Sequence, residues 1–302
     1  MGKPTHPAST KSLGQEISTL FGEFLRGAQF LLNYAPVPTF ASKAARDLTD
    51  QEAFDLLMHL VFHGRITLDQ HVKVDDNGKI IDPKPGRQIL VKTSMAGVDF
   101  LHASGAFSAT NGSLHTVKDK HFAPTPTFAI VLLRLAEFLA KEWGATAIVW
   151  GGVGKGADNK SKNCHEVGTC MDFYGATTKQ GSFDVTADWT RSPVYKADGT
   201  ELKVTWNQNL WGVASFENRW GPATQTYYRL RSGLDTPAYD FFSDVYGFVN
   251  EQCTSSGDSS PHTFAANQPL SAGQTIHPDY PNPTLRKNHR DHMHFQLGKA
   301  FL

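Results

Sequence analysis

The stretch "PTPTFAIVLLRLAEFLAKEWG", residues 124–144, constrains the fold more than any other. Its apolar residues cover most faces of a helix rather than one stripe. A helix of that kind must be covered on several sides, so it predicts a layered domain built around it. Its ends are marked. Thr125 or Thr127 can cap the start, Pro126 suits the first turn, and Gly144 stands at the stop position. The chain has 302 residues, 40% of them hydrophobic, which is ample for one large domain or a catalytic domain with an appendage.

Around this helix the pattern alternates between types. Residues 1–16 are polar and read as a flexible N-terminus. Residues 17–34 carry apolar side chains at helical spacing. Residues 48–65 predict a second helix, capped by Thr49 or Asp50 and ended by Gly64. Together these make 17–110 an N-terminal helical region of unknown role. Residues 71–85 read as a hairpin around "DNG". Short strands are expected at 146–152, 226–233 and 292–298, an amphipathic helix at 237–253, and a long polar loop at 255–283. The fold class expected is α+β, a small antiparallel sheet flanked by helices, with 111–302 as the catalytic domain.

Composition removes several function classes. Lys+Arg and Asp+Glu are both 29, so the formal net charge is zero. No basic run or RNA-binding aromatic signature is present, and nucleic acid is not expected as a partner. "GGVGKG" (151–156) lacks the spacing and ending of a phosphate loop and reads as a turn after a strand. No stretch is apolar enough to span a membrane, and the N-terminus shows no secretory leader. The expectation is a chain made in the cytoplasm. Three cysteines are too few for a disulfide scaffold. Cys164 and Cys170 are expected as free thiols, with a local disulfide as the alternative.

Chemistry concentrates in two places. "NHRDHMHFQLG" (288–298) holds His289, His292 and His294, and on a strand the last two share a face. "NCHEVGTCMDFYG" (163–175) holds His165, Gly168 and Asp172. Gly168 permits a bend that brings His165 back towards Asp172. Zinc in catalytic sites is commonly held by three ligands drawn from His and carboxylates, with a fourth position open. His165, Asp172 and one of His292 and His294 would complete that set. The remaining histidine would act on protons or a developing oxyanion. The residues alone leave the choice between His292 and His294 open.

The pattern His165-x-x-Gly168-x-Cys170-x-Asp172, followed far downstream by His292-x-His294, resembles the zinc peptidases grouped around lysostaphin, the D-Ala-D-Ala metallopeptidases and the hedgehog domain. Cys170 stands where the carboxypeptidase branch has Ala. That branch ends in Glu-x-x-His, whereas His289-x-x-His292-x-His294 is closer to the penicillin-insensitive murein endopeptidases. The resemblance implies a zinc cofactor on His165, Asp172 and His294, with His292 as catalytic imidazole and His289 in support. It implies hydrolysis of amide bonds in peptidoglycan peptides. Endopeptidase action fits better, because the substrate-binding Arg of the carboxypeptidase branch has no clear counterpart. A non-catalytic zinc-containing wall or protein-binding module is the alternative. Action on the wall would follow lysis or non-classical delivery, with delivery machinery or an immunity protein as partners.

Other candidates have plainer readings. His59 and His63 lie at i, i+4, but Leu60 stands where a zincin has Glu, so they read as a helix face. His277 and Asp279 could reach a cleft from the long loop. Trp206, Trp211, Trp220, Tyr227 and Tyr228 could line a groove or fill a core.

Overall fold

The computed structural model describes residues 13–69, 72–103, 116–117, 122–153, 164–185, 237–253, 274–277, 289 and 292–298. Its organising element is the helix expected at 124–144, here α3 (Pro126–Trp143). Thr125 is the cap: its Oγ1 accepts from the Phe128 N–H at 3.4 Å. Gly144 ends the helix at φ 62°, and its N–H turns back to the Ala140 carbonyl. Phe128, Ile130, Val131, Leu132, Leu135 and Leu139 are all fully buried. The all-round apolar surface is satisfied because α3 has helices on one side and a sheet on the other.

Among the described residues the other α-helices are α1 (Leu13–Tyr34), α2 (Asp50–Phe62), a short α4 (Cys164–Val167) and α5 (Pro237–Cys253). Helix α1 begins inside the stretch expected to be flexible. Thr49 caps α2 in a reciprocal box, its hydroxyl accepting from the Glu52 N–H while Glu52 accepts from the Thr49 N–H. Helices α2 and α5 both pack on α3. Arg134 of α3 reaches out of that layer, donating to the carbonyls of Ala41 and Lys43 and to Gln252 on α5.

The expected hairpin is β1 (Lys73–Val74) with β2 (Ile80–Asp82), closed by the turn at Asp75–Gly78. The other strands are β3 (Ser94–Met95), β4 (Val98–Ala103), β5 (Thr116–Val117), β6 (Ala147–Gly151), β7 (Cys170–Thr178), β8 (Gly181–Asp184), β9 (Gln274–Ile276) and β10 (Met293–Gln296). They form one sheet along the path β3-β4-β6-β7-β10-β9, with β5 on β4 and β8 on β7. The pair β4–β6 is parallel and the rest are antiparallel. The fold is α+β, with the antiparallel β7–β10–β9 segment forming part of a larger mixed sheet.

The region 17–110 adds β1–β4 to its helices. Strand β4 hydrogen-bonds to β6, and Phe54, Leu57 and Phe100 lie in the same core as Phe128, Phe173 and Phe295. Strand β9 falls inside the polar stretch 255–283, where three residues are too few to show a period. The strand expected at 226–233 lies outside the described residues, as do Asp279 and the aromatics from Trp206 to Tyr228. Among the described residues, Leu20, Phe21, Phe24 and Leu32 on α1 are each more than 60% exposed. Among the described residues no helix is long and apolar enough to cross a membrane.

Candidate metal centre

Strands β7 and β10 run antiparallel in a register that sets His294 directly opposite Asp172. Their side chains share one face, 122 positions apart in sequence. The ring of His292, two residues earlier on the same face, lies beside Tyr174 with centroids 5.4 Å apart. Tyr174 is the extra residue of a bulge, since Val149 faces Gly175 while Trp150 faces Phe173. Bulges recur beside functional sites because they re-aim side chains.

His165 comes from α4, ahead of β7. The turn between them contains Gly168 at φ 76°, whose absent Cβ leaves room for the Ala123 carbonyl. The Gly168 carbonyl accepts from the Thr125 N–H, tying the turn to the start of α3. The bend therefore has a fixed direction and returns His165 to Asp172.

Three imidazoles meet one carboxylate oxygen. Asp172 Oδ1 lies 3.0 Å from His294 Nδ1, 3.4 Å from His292 Nε2 and 3.5 Å from His165 Nε2. The His289 ring closes the group, 5.1 Å from the rings of both His292 and His294. All five residues singled out from the sequence are thus in one place. Burial alone would raise the Asp172 carboxyl pKa. The hydrogen bond with His294 and the charges of His292, His294 and His165 outweigh it and bring the pKa down to about 2. Burial lowers the His165 pKa, against the pull of Asp172.

One nitrogen of the His165 ring is assigned by its partner. Nδ1 lies 2.7 Å from the Gly152 carbonyl, which can only accept, so Nδ1–H donates and Nε2 is the atom turned towards Asp172. Gly152 has φ 67°, and a Cβ there would collide with His165 Nδ1. His294 is held similarly. Its Nδ1 faces Asp172 and its Nε2 lies 3.3 Å from Gln296 Oε1. The Asp172 carboxylate can only accept, so His294 Nδ1–H donates to it, and the far nitrogen faces the Gln296 amide oxygen. An oxygen partner on the far nitrogen is the usual arrangement behind a metal-ligating histidine. Gln296 was not among the sequence candidates. Its signal was the same period-2 alternation that picked out His292 and His294, carried one step further.

The cysteines differ from expectation. Cys164 and Cys170 are joined in a disulfide, with Cα atoms 5.4 Å apart. The Gly168 bend that returns His165 also folds α4 onto the start of β7, and this carries the sulfurs together. Cys164 Sγ lies 3.8 Å from His294 Nε2. The donor atoms of Cys164, His165, Cys170 and His294 all fall within 4.8 Å of one another, close enough for a group that could hold a metal ion.

Among the described residues, His59, His63 and His277 lie elsewhere. His59 Nδ1 is 2.7 Å from the Tyr34 carbonyl and His63 Nε2 is 3.3 Å from that of Ala35. His277 is fully buried, its ring edge-on to Tyr246. No family model, curated protein or solved structure matches the chain.

Proposed function

We propose that the chain is a zinc-dependent peptidase that hydrolyses amide bonds in peptidoglycan peptides, with endopeptidase action favoured. The observation that carries this reading is the convergence of His165, His292 and His294 on Asp172 Oδ1. Two imidazoles gathered on one carboxylate are a donor set suited to zinc, which would take the place of the proton between them. A zinc ion held by His165, Asp172 and His294 would polarise a substrate carbonyl and acidify a water to a pKa of about 7.

The chain's own groups supply the rest. The Gly152 carbonyl and Gln296 hold the two ligand rings in orientation. His292, on the same strand face as His294, is placed to accept a proton from the attacking water and return it to the leaving amine. It can also donate a hydrogen bond to the oxyanion that forms at the carbonyl. His289, beside both rings, supports that charge. Peptidoglycan as substrate rests on the motif resemblance.

Zinc quantification joined to digestion of purified peptidoglycan tests the reading. One equivalent of zinc and release of shortened or un-crosslinked stem peptides are expected. His292→Ala should keep the zinc and lose about 100- to 10,000-fold in rate. Zinc-loaded protein that binds sacculi but releases nothing would overturn the catalytic assignment in favour of a binding module.

A further inference from the structure

Two metal-ligand sets overlap at this site. One is His165, Asp172 and His294. The other is Cys164, His165, Cys170 and His294. His294 serves each with a different nitrogen, Nδ1 towards Asp172 at 3.0 Å and Nε2 towards Cys164 Sγ at 3.8 Å. A thiolate and an imidazole on one tetrahedral zinc stand about 3.6 Å apart, from the usual bond lengths. The Cys164–His294 pair is therefore close to ligand spacing. Two zinc-bound sulfurs stand about 3.8 Å apart, which Cα atoms 5.4 Å apart can accommodate by side-chain rotation. Cys164, Cys170 and His294 are all buried, as the donors of a closed metal centre are.

In the structure the two sulfurs bond each other and neither can ligate. We propose that reduction of the Cys164–Cys170 disulfide creates a second, closed zinc centre of two thiolates and two imidazoles, which competes with the Asp172 set for His165 and His294. A dithiol reductant supplies two electrons and two protons. Its own sulfurs become a disulfide, the Cys164–Cys170 bond breaks, and two thiols result. Binding of zinc releases both thiol protons to solvent as two sulfur–zinc bonds form.

The closed set fills all four tetrahedral positions, whereas the three-ligand set leaves one for water or substrate. On the peptidase reading, on which only this consequence rests, a reducing compartment holds the enzyme silent and an oxidising one opens it. The third cysteine stays out of the exchange. Cys253 is fully buried, and burial pushes its thiol up to about 12.

The test uses the full chain, oxidised or reduced with a phosphine under anaerobic conditions, then titrated with cobalt(II). Reduced protein should bind one equivalent with thiolate-to-cobalt charge-transfer absorption, and two thiols should become protected from an alkylating reagent. The double variant Cys164→Ser, Cys170→Ser should lose that absorption, with circular dichroism confirming its fold. Asp172→Asn should weaken cobalt binding at least about 100-fold in the oxidised protein but less than about tenfold in the reduced one. Reduced wild type without thiolate absorption, or with both thiols still reactive when cobalt is bound, overturns the proposal. Thiolate absorption in reduced protein, with no cobalt bound by oxidised protein, supports the closed centre and sinks the open-site peptidase reading.

Discussion

Helix α2 with its cap, and strand β10 with the residue before it, each carry two histidines at the spacing their own geometry brings together. His59 and His63, the C-cap of α2, lie four apart with ring centroids 4.3 Å apart. His292, just before β10, and His294 lie two apart. Spacing alone does not separate a site from a tie. The partners do. The α2 pair faces the carbonyls of Tyr34 and Ala35 and pins the end of α1 to α2. A carbonyl takes a proton from one ring and has no net charge to gather others. His292 and His294 face a half-buried carboxylate, beside which α4 sets a third imidazole. One negative charge with several imidazoles around it is a donor set that a cation could occupy. One dipole per ring is a structural hydrogen bond.

The comparison breaks most plainly if metal content fails to distinguish the pairs. His294→Ala and His165→Ala should each lower zinc affinity by at least about 100-fold, while His59→Ala leaves it unchanged, read by mass spectrometry of metal content. A His294→Ala protein that retains stoichiometric zinc removes the ligand assignment.

Acid sharpens it next. The Asp172 pKa is held at about 2, below its ordinary 3.8. Its contribution to folding is therefore complete above pH 4 and lost as pH falls through about 2. In metal-free protein, the stability gap between wild type and Asp172→Asn should shrink by about 2 kcal/mol over that window, read by denaturant unfolding. A gap constant with pH would mean that the carboxylate is not paired with the imidazoles. His165, its pKa lowered by burial, acts in the same direction at higher pH. The unfolded chain takes up its proton first, so acidification weakens the fold.

The smallest effect concerns orientation. Gln296→Ala should cost about tenfold in zinc affinity, measured by competition with a chelator, and Gln296→Glu should recover it. No change in either variant would reduce Gln296 to a packing residue.

What was legible in the sequence was local periodicity and punctuation. Helix α3 could be read from Thr125, Pro126 and Gly144, and the shared face of His292 and His294 from a period of two. The bend at Gly168 was readable because only glycine relaxes at that backbone conformation. Long-range pairing was not readable. Nothing in "VDFLHA" says that β4 lies parallel to β6, a contact set by how both strands cover α3. The disulfide was missed because the direction of the Gly168 turn depends on its anchor at Thr125. Gln296 looked like any strand residue until the Nε2 of His294 gave it a partner.

Gly152 bears on how the chain tolerates change. Gly97 has a comparable backbone angle, φ 75°, but nothing within 4 Å of where a side chain would begin. An asparagine could live there. At Gly152 the same angle coincides with a histidine ring in the space a methyl would need. In a saturation library Gly97 should admit a few residues and Gly152 none. A glycine with no side chain to offer a metal would then score as strictly as a ligand.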